Sequence, residues 1–375
     1  MTSSIPTLRL CQPQISSAAI DAVVSVLQSG QLVYGAEGQL FEAELATYLG
    51  ANHAVLVSSG TAALHLALMA LDIGPGDAVL VPDFTFPATA NVVRQLGARV
   101  VLVDVDPQTY TLNLVALERQ LEEWSGPERL RAVMPVHEFG APVSMDCLLP
   151  IAQRHQLHVI EDAACALGAE HQGRRLGTWG QLGCFSFHPR KTLTTGEGGL
   201  ICTDDAVLAE RVRALRSHGI LREEGKIRFA EPGLNYRLTD FQSVLGRYQL
   251  PLLDEWIFRR RELADLYRRE LAALEGQGLL RLPIHIPGHS YQTFMLVLDE
   301  QLNRQRLIDH MLACGIEANL GAQSLSELGL YGDYSSIMEG KNLYRNGLAI
   351  PLHESLLDDD IVRVCAVLKD ALAAQ

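Results

Sequence analysis

Residues 184–199, CFSFHPRKTLTTGEGG, contain the most informative feature of the chain. Apolar residues at its start predict a strand, which delivers a single lysine, Lys191, into a polar and glycine-rich loop. Its glycines let a ligand approach the backbone closely, and its hydroxyl groups suit a phosphate. These hydroxyl groups belong to Ser186, Thr192, Thr194 and Thr195. A nucleophilic lysine must be kept neutral by its surroundings. An ordinary exposed loop is the alternative, but the shortage of charged residues favours a functional one.

Strands alternate with helices over the first three-fifths of the chain. Short apolar runs predict strands at residues 53–57, 78–82, 99–103, 131–136, 157–160, 184–187 and 200–203. Helices are predicted at residues 61–71, 88–96, 114–123, 145–155 and 205–217. This alternation predicts an α/β fold with a mostly parallel sheet and helices on both faces. Neither GxxxxGK[ST] nor a GxGxxG after a strand occurs, which disfavours P-loop and dinucleotide-binding proteins.

The chain changes character after about residue 275, where prolines and a glycine mark a linker. Before the linker, residues 240–269 are predicted as one long helix or a helix broken near Pro251. After it, predicted elements lie at residues 291–298, 304–313 and 358–372. We therefore expect a large domain at residues 1–250, with an N-terminal helical segment. A smaller C-terminal α+β domain is expected at residues 251–375 and includes the connecting helix.

Residues 58–62, SSGTA, lie where a predicted strand meets a helix that is apolar almost all round. The first N–H groups of a helix are free, and the positive end of its dipole attracts anions. The junction is therefore a candidate phosphate site. The alternative is an ordinary helix cap, in which a Ser or Thr side chain satisfies the first turn.

Other candidate site residues also follow predicted strands. Asp162 comes after the strand LHVI, where ligands of open α/β sheets bind, and its carboxylate can hold a protonated ring nitrogen. Alternatively, Glu161 or Asp162 caps the next helix. Phe86, in the stretch FTFP, can stack on a flat ring, although core packing is the commoner role. His137 and His188 are weaker candidates for the site.

Composition and charge argue against several classes of protein. The 375 residues carry a formal net charge of −13, which is unsuited to a nucleic-acid-binding surface. No apolar run reaches the roughly 18 residues that span a membrane, and the N-terminus lacks the pattern of a signal peptide. The seven cysteines form no CxxC pair, and His155 and His158 have no further ligands beside them. We expect no metal and a reducing, cytoplasmic location.

These residues lie in blocks that resemble the DegT/DnrJ/StrS-type sugar aminotransferases, which are fold type I enzymes dependent on pyridoxal phosphate (PLP). The resemblance runs nearly end to end and is less tight after about residue 283. It rests on SSGTAALHLALMALDIGPGDAVLVPDFTFPATANVV, LGARVVLVDVDPQTYTLN, PVHEFGAPVSMD, VIEDAACALGA, CFSFHPRKTLTTGEGG and PGLNYRLTDFQSVLGRYQL. It implies the fold type I architecture, with a large PLP-binding domain and a smaller C-terminal one.

The resemblance also implies a role for each candidate residue. Lys191 would form a Schiff base with PLP and later carry a proton, while Asp162 would pair with the ring nitrogen. Phe86 would stack on the face of the ring. The phosphate would be bound by Gly60, Thr61, Ala62, Ser186 and, from the neighbouring subunit, Asn235. A homodimer would therefore complete the active site.

The activity implied by the resemblance is transfer of an amino group from a donor, L-glutamate, to a nucleotide-linked keto-sugar. The sequence departs from the family at Cys165, where Gln or His usually stands near the phenolic oxygen of PLP. It also lacks the family's histidine after Gly315 and Ile316. Two alternatives stay open: an aminotransferase acting on a cyclic ketone of the inosose or aminohydroxybenzoate type, and a PLP-binding regulator with little turnover.

Overall fold

The computed structural model describes residues 7–223, 225–332 and 334–374. Within these residues the helices are α1 Ser17–Ser29, α2 Ala36–Leu49, α3 Gly60–Ala70, α4 Ala88–Gln95, α5 Leu114–Glu122, α6 Met145–Arg154, α7 Ala206–Arg216, α8 Asp240–Arg247, α9 Leu253–Gly276, α10 Arg304–Ala313, α11 Glu339–Asn346 and α12 Asp358–Ala373. The strands are β1 His53–Val57, β2 Asp77–Pro82, β3 Phe84–Thr85, β4 Arg99–Val103, β5 Arg129–Val133, β6 His158–Asp162, β7 Glu170–His171, β8 Arg174–Arg175, β9 Leu182–Ser186, β10 Gly199–Thr203, β11 Ile220–Glu223, β12 Lys226–Phe229, β13 Leu280–Arg281, β14 Phe294–Leu298, β15 Gln323–Ser324 and β16 Gly347–Ile350. Short 3₁₀ turns lie at Glu138–Gly140, Leu250–Leu252 and Leu325–Leu328.

Seven strands form the central sheet, in the order β1-β10-β9-β6-β5-β2-β4. Neighbours from β9 to β4 pair in parallel, whereas β10 runs antiparallel to both β1 and β9. The strands are rich in Val, Leu and Ile and mostly buried, as expected where helices cover both faces. The predicted mostly parallel α/β fold is confirmed, with one strand reversed.

Alternate strand residues build two cores, one on each face of the sheet. In β2, Val79 and Val81 pack with α3, α4 and α7, whereas Ala78 and Leu80 pack with α2, α5 and α6. Helix α3 lies against the sheet with seven buried residues, in agreement with its apolar sequence. The sheet therefore forms the rigid middle layer, and its strand ends carry the site described below.

The helix predicted at residues 240–269 is broken, one of the two forms expected. Helix α8 ends at Arg247, a 3₁₀ turn containing Pro251 follows, and α9 begins at Leu253. Proline has no N–H and clashes with the preceding turn, so the break falls at this residue. In the described part of the chain, no helix is both long and apolar enough to cross a membrane.

The second sheet contains β13, β14 and β16, and it is antiparallel. It packs with α9, α10 and α12 around a third core. Because this core is separate, we propose the domain boundary near residue 250, which divides residues 1–250 from residues 251–375. Many contacts cross it: for example, β15 pairs with β3, Ile257 of α9 packs in the core of the large domain, and the Leu8 N–H donates to the Gly315 carbonyl.

Candidate active site

A cavity of about 660 Å³ lies beyond the carboxyl ends of β6 and β9, beside the start of α3. Its volume is in the range of small-molecule sites, and its place is the one where α/β sheets bind ligands. Of the residues predicted from the sequence, it is lined by Gly60, Thr61, Phe86, Asp162, Ser186, His188 and Lys191. The small domain closes one side with Gln292, Thr293, Gly321 and Ala322. The structure therefore brings most of the predicted set into one site.

Lys191 lies in the loop between β9 and β10, and its Nζ is 2.9 Å from Cys165 Sγ. The loop is held rigidly by its own hydroxyl groups. Thr194 Oγ1 donates to the Phe187 carbonyl at 2.8 Å, and Thr195 Oγ1 donates to the Glu197 carbonyl at 2.7 Å. These two hydroxyl groups are thus committed to the loop, and the expectation that they suit a phosphate is wrong.

Three acidic side chains act on the Lys191 amine. Burial disfavours the charged amine, but the negative charges of Cys165, Glu138 and Asp162 more than offset it, and the pKa of Lys191 is raised. Burial alone therefore does not produce the neutral Lys191 that is expected from the sequence. Burial in turn raises the pKa values of Cys165 and Glu138, which favours their uncharged forms and weakens their hold on the proton of Lys191.

Asp162 ends β6 and is 4% exposed. Its Oδ2 accepts from Thr89 Oγ1 at 2.8 Å, and its Oδ1 accepts from the Ala164 N–H at 3.2 Å. Burial raises the pKa of this carboxyl, and the two donors oppose that effect. Within the described residues it forms no ion pair, so a cationic ring nitrogen in the cavity fits this carboxylate.

Glu161, the neighbouring acid, points away from the cavity and has a structural role. Its carboxylate accepts from the backbone N–H groups of Gly177, Trp179 and Gly180 at 2.6–2.8 Å. The fully buried ring of His137 bonds the same carboxylate at 2.9 Å. The prediction that His137 is an active-site candidate is therefore wrong. Successive residues of a strand face opposite sides, which separates the roles of Glu161 and Asp162.

The start of α3 has the features of an anion site. Ser59 is the N-cap, and its Oγ accepts from the Ala62 N–H at 3.1 Å. Among the described residues, the N–H groups of Gly60 and Thr61 have no intramolecular acceptor, whereas that of Ala62 has one. An added Cβ at Gly60 would lie 2.8 Å from Ser186 Cβ, so the missing side chain brings the Ser186 hydroxyl against the helix start. The cap alternative is confirmed, and because a capped helix start also leaves free donors, the phosphate site stays a prediction.

Phe86 and Asn235 stand apart from the other predicted residues. Phe86 lines the cavity, yet 71% of its surface is exposed, so it is a wall of the site and not a core residue. Asn235 is exposed and does not line the cavity of its own chain. It pairs instead with Ser217 in an isolated bridge. Its predicted role depends on a second subunit.

Sequence reasoning missed Glu138, Thr85 and Thr89. All three are buried and line the cavity, and Thr89 holds Asp162 directly. The stretch PVHEFG carries the signal for Glu138, since a carboxyl directly after a buried strand lies where ligands bind. Thr89, in the first turn of α4, gives no such signal because only the packing of α4 on β2 and β4 brings it to Asp162.

The residues present fit PLP. The free N–H groups and Ser186 suit a phosphate, unpaired Asp162 suits a protonated ring nitrogen, and Lys191 supplies an amine for the aldehyde. The described residues contain no group of three or more His, Cys, Asp or Glu side chains arranged to hold a metal.

Comparison with known proteins identifies the family. The model of the DegT/DnrJ/EryC1/StrS aminotransferase family matches residues 13–369. The GDP-perosamine synthase of Caulobacter vibrioides is 36% identical over 99% of this chain and 100% of that protein.

Solved structures give the same result. The aminotransferase TlmJ of Streptoalloteichus hindustanus superposes with a TM-score of 0.91 at 31% identity, over 98% of this chain and 99% of that one. S. venezuelae DesV, solved in complex with a ketimine intermediate, has a TM-score of 0.86 at 34% identity, over 98% and 99% of the two chains. The chain therefore belongs to the DegT/DnrJ/EryC1/StrS aminotransferase family and is a PLP-dependent aminotransferase of fold type I.

Proposed function

We propose that this aminotransferase transfers an amino group from L-glutamate to a nucleotide-linked keto-sugar. The observation that carries the proposal is the placement of Lys191, Asp162 and the free N–H groups of α3 around one cavity. A single flat phosphorylated aldehyde matches these three features, which lie on separate elements of the fold. The choice of a nucleotide-linked sugar is supported by the GDP-perosamine synthase, whose name states a GDP-linked product.

Each proposed site residue has one task. Lys191 holds the aldehyde carbon through Nζ, and Asp162 holds the ring nitrogen in its protonated form. Phe86 covers one face of the ring. PLP supplies a carbonyl that exchanges for the amine and a ring that accepts the electrons of a broken C–H bond. The phosphate is bound by the free N–H groups of Gly60 and Thr61, by Ser186 and by Asn235 of the partner subunit, whereas the Ala62 N–H already donates to Ser59.

Proton transfer falls to Lys191. Once its amine is displaced by the donor, Nζ stays in the cavity that Lys191 lines, and it would move the proton from the substrate carbon to the aldehyde carbon that it had held. Cys165 Sγ, at 2.9 Å, holds Nζ on this side of the cavity. Gln292 Nε2 donates to the Arg190 carbonyl at 2.7 Å, so the small domain fixes the backbone next to Lys191.

A homodimer is part of the proposal. A groove of about 720 Å³ lies between α1, α2 and α8, and apolar side chains outside its lining are exposed on α1 and in the segment after it. Among them Ile20 is 53% exposed, Leu27 50% and Val33 70%. Apolar surface of this kind marks an interface. A second copy of the chain covers it in our proposal and brings Asn235 to the cavity of its partner.

A half-reaction screen tests the substrate class. The enzyme is first converted to its amino form with glutamate, the excess is removed, and candidate ketones are added singly. We expect nucleotide-linked keto-sugars to restore the visible absorption of PLP, with release of the amino-sugar detected by mass spectrometry. Restoration by inosose-type ketones alone would overturn the substrate class. A visible band that glutamate does not change would indicate a PLP-binding regulator instead.

A further inference from the structure

Glu138 is a second buried carboxyl in the cavity, and the reaction described above does not use it. Glu138 is 5% exposed and lines the same cavity as Asp162. It lies in a 3₁₀ turn after β5, where the next residue, Phe139, has a φ of 56°. Left-handed backbone at a bulky residue is costly and tends to persist where function requires it. Phe139 is fixed by edge contacts with Phe84 and Tyr110 at 6.1 Å.

A chain of hydrogen bonds joins Glu138 to Asp162. Thr85 is placed to hydrogen-bond the Glu138 carboxyl, an interaction that favours the charged form of Glu138. Thr85 Oγ1 lies 3.2 Å from Thr89 Oγ1, and Thr89 Oγ1 lies 2.8 Å from Asp162 Oδ2. Both threonines are 1% exposed, so water does not compete for these bonds. An acid in the turn after β5 and an acid at the end of β6 are thereby connected through two hydroxyl groups.

Counting the protons gives this series of hydrogen bonds a direction. Each threonine hydroxyl carries one proton. Thr89 also lies 3.2 Å from the Phe86 carbonyl, but its shorter bond is to the charged Asp162, which takes the proton. Thr85 has one proton to give, either to Thr89 or to a charged Glu138, so a charged Glu138 leaves the bond between the two threonines unmade. A protonated Glu138 can instead donate to Thr85, which then donates to Thr89. All the bonds are made together only when Glu138 carries a proton and Asp162 does not.

We propose that Glu138 is a positioning residue that holds a proton and is linked through Thr85 and Thr89 to Asp162. In its neutral form, Glu138 leaves a single negative charge, that of Asp162, beside Lys191. The inference rests on the proposed function, because it assigns Asp162 to the ring nitrogen and Lys191 to the aldehyde. While Glu138 is neutral, Asp162 provides the one full negative charge among these four hydrogen-bonded residues. When Glu138 loses its proton, a second charge acts on the Lys191 nitrogen and favours its protonated form.

The electrostatics of the cavity agree with this role. Burial raises the pKa of Glu138 to about 8, even though Lys191 and the bond from Thr85 oppose the rise. The groups that act on its charge are Asp162 and Cys165 after β6 and Lys191 after β9. The other titratable or charged groups lining the cavity are His188, Arg190 and Glu197.

The test compares pH titrations of the visible band of PLP-loaded enzyme for wild type, E138Q and E138L. Wild type should show a step near pH 8, and E138Q should lack it because an amide does not ionise. E197Q is the matched control, since Glu197 is an exposed carboxyl at the rim of the same cavity and its loss should keep the step. E138L should lower kcat roughly tenfold with a smaller change in KM, and E138Q should recover most of that loss.

The outcomes separate this role from the proposed function. If the step in the visible band persists unchanged in E138Q, the role of Glu138 is overturned and the aminotransferase assignment stays intact. The same holds if wild type shows no step between pH 6 and 10. E138Q and E138L with equal losses of kcat would also overturn it, because a hydrogen-bonding amide would then be no better than an apolar side chain. If wild type shows no visible band with PLP, the proposed function fails and this inference fails with it.

Discussion

At the scale of single residues, the site depends on carboxyl groups in different surroundings. Asp162 accepts two hydrogen bonds and faces a cavity suited to a cation. Glu138 lines the same cavity, where the negative charge of Asp162 acts on it. Two neighbouring buried acids do not readily ionise together, so one of them keeps its proton. The sequence predicts Asp162 from its place at a strand end. It does not predict the pairing with Glu138, which depends on the distance between β5 and β6 and on two threonines.

The charge of Asp162 is tested by D162N. The amide cannot stabilise a protonated ring nitrogen, whose pKa falls, so proton removal from the substrate slows. We expect a loss of at least about 100-fold in the single-turnover rate with glutamate, in the range that acid–base groups contribute. D146N, an exposed carboxylate on α6 outside the cavity, is the control. A D162N rate near that of D146N would contradict the role of Asp162.

The raised pKa of Glu138 also predicts how the stability of the protein depends on pH. The pKa of Glu138 is about 8 in the folded protein and 4.5 for the ordinary side chain. Between these values the folded protein keeps a proton that the unfolded chain has released, so the free energy of unfolding falls as pH rises. E138Q lacks this effect. Its Tm relative to wild type, measured in PLP-loaded protein, should therefore increase from about pH 5 to about pH 8. A constant difference in Tm would show that Glu138 is ionised throughout.

At the scale of helices and strands, local patterns predict most elements. Helix α10 lies at Arg304–Ala313, the predicted range, because its cap and apolar spacing are local features. The strand predicted at residues 131–136 instead spans Arg129–Val133. Pro135 has no N–H for the ladder, and pairing with β2 extends the other end. The reversed direction of β10 is not predictable in this way, since pairing of distant segments sets it.

The helix start at α3 gives a prediction at this scale. In G60A the new Cβ would lie 2.8 Å from Ser186 Cβ and force the helix start and the serine apart. We expect the Kd for PLP to rise roughly tenfold, about 1.4 kcal/mol, while the protein stays folded. Equilibrium dialysis measures the Kd, and G276A is the control because its Cβ meets no atom within 4 Å. Equal Kd values for the two variants would show that α3 does not contact the phosphate.

At the scale of the whole molecule, one chain builds most of the cavity but leaves surfaces without a partner. Phe86 and Asn235 are exposed, and so are apolar side chains on α1 and in the segment after it. The role of Asn235 was expected only from the resemblance, since neither periodicity nor spacing predicts a residue that acts on another subunit. A shared site would explain both the exposure of Asn235 and its absence from the cavity of its own chain.

Mixed dimers test the shared site. When K191A and N235A chains are co-expressed in equal amounts, half of the dimers are mixed, and each holds one intact site. Activity should therefore return to about a quarter of wild type, above that of either variant alone. K191A with D162N is the control, because Lys191 and Asp162 line the cavity of one chain and no intact site forms. Failure of the first pair to recover activity would contradict the shared site.

The central claim is that Lys191 bonds PLP while Asp162 faces its ring. The chain has only four lysines, Lys191, Lys226, Lys341 and Lys369, so the bond can be located without ambiguity. PLP-loaded protein is reduced with borohydride, digested and mapped by mass spectrometry, with K191A as the parallel sample. We predict that the phosphopyridoxyl label lies on Lys191 in wild type and is lost in K191A. A label on another lysine, or the same labelling in K191A, would contradict the account.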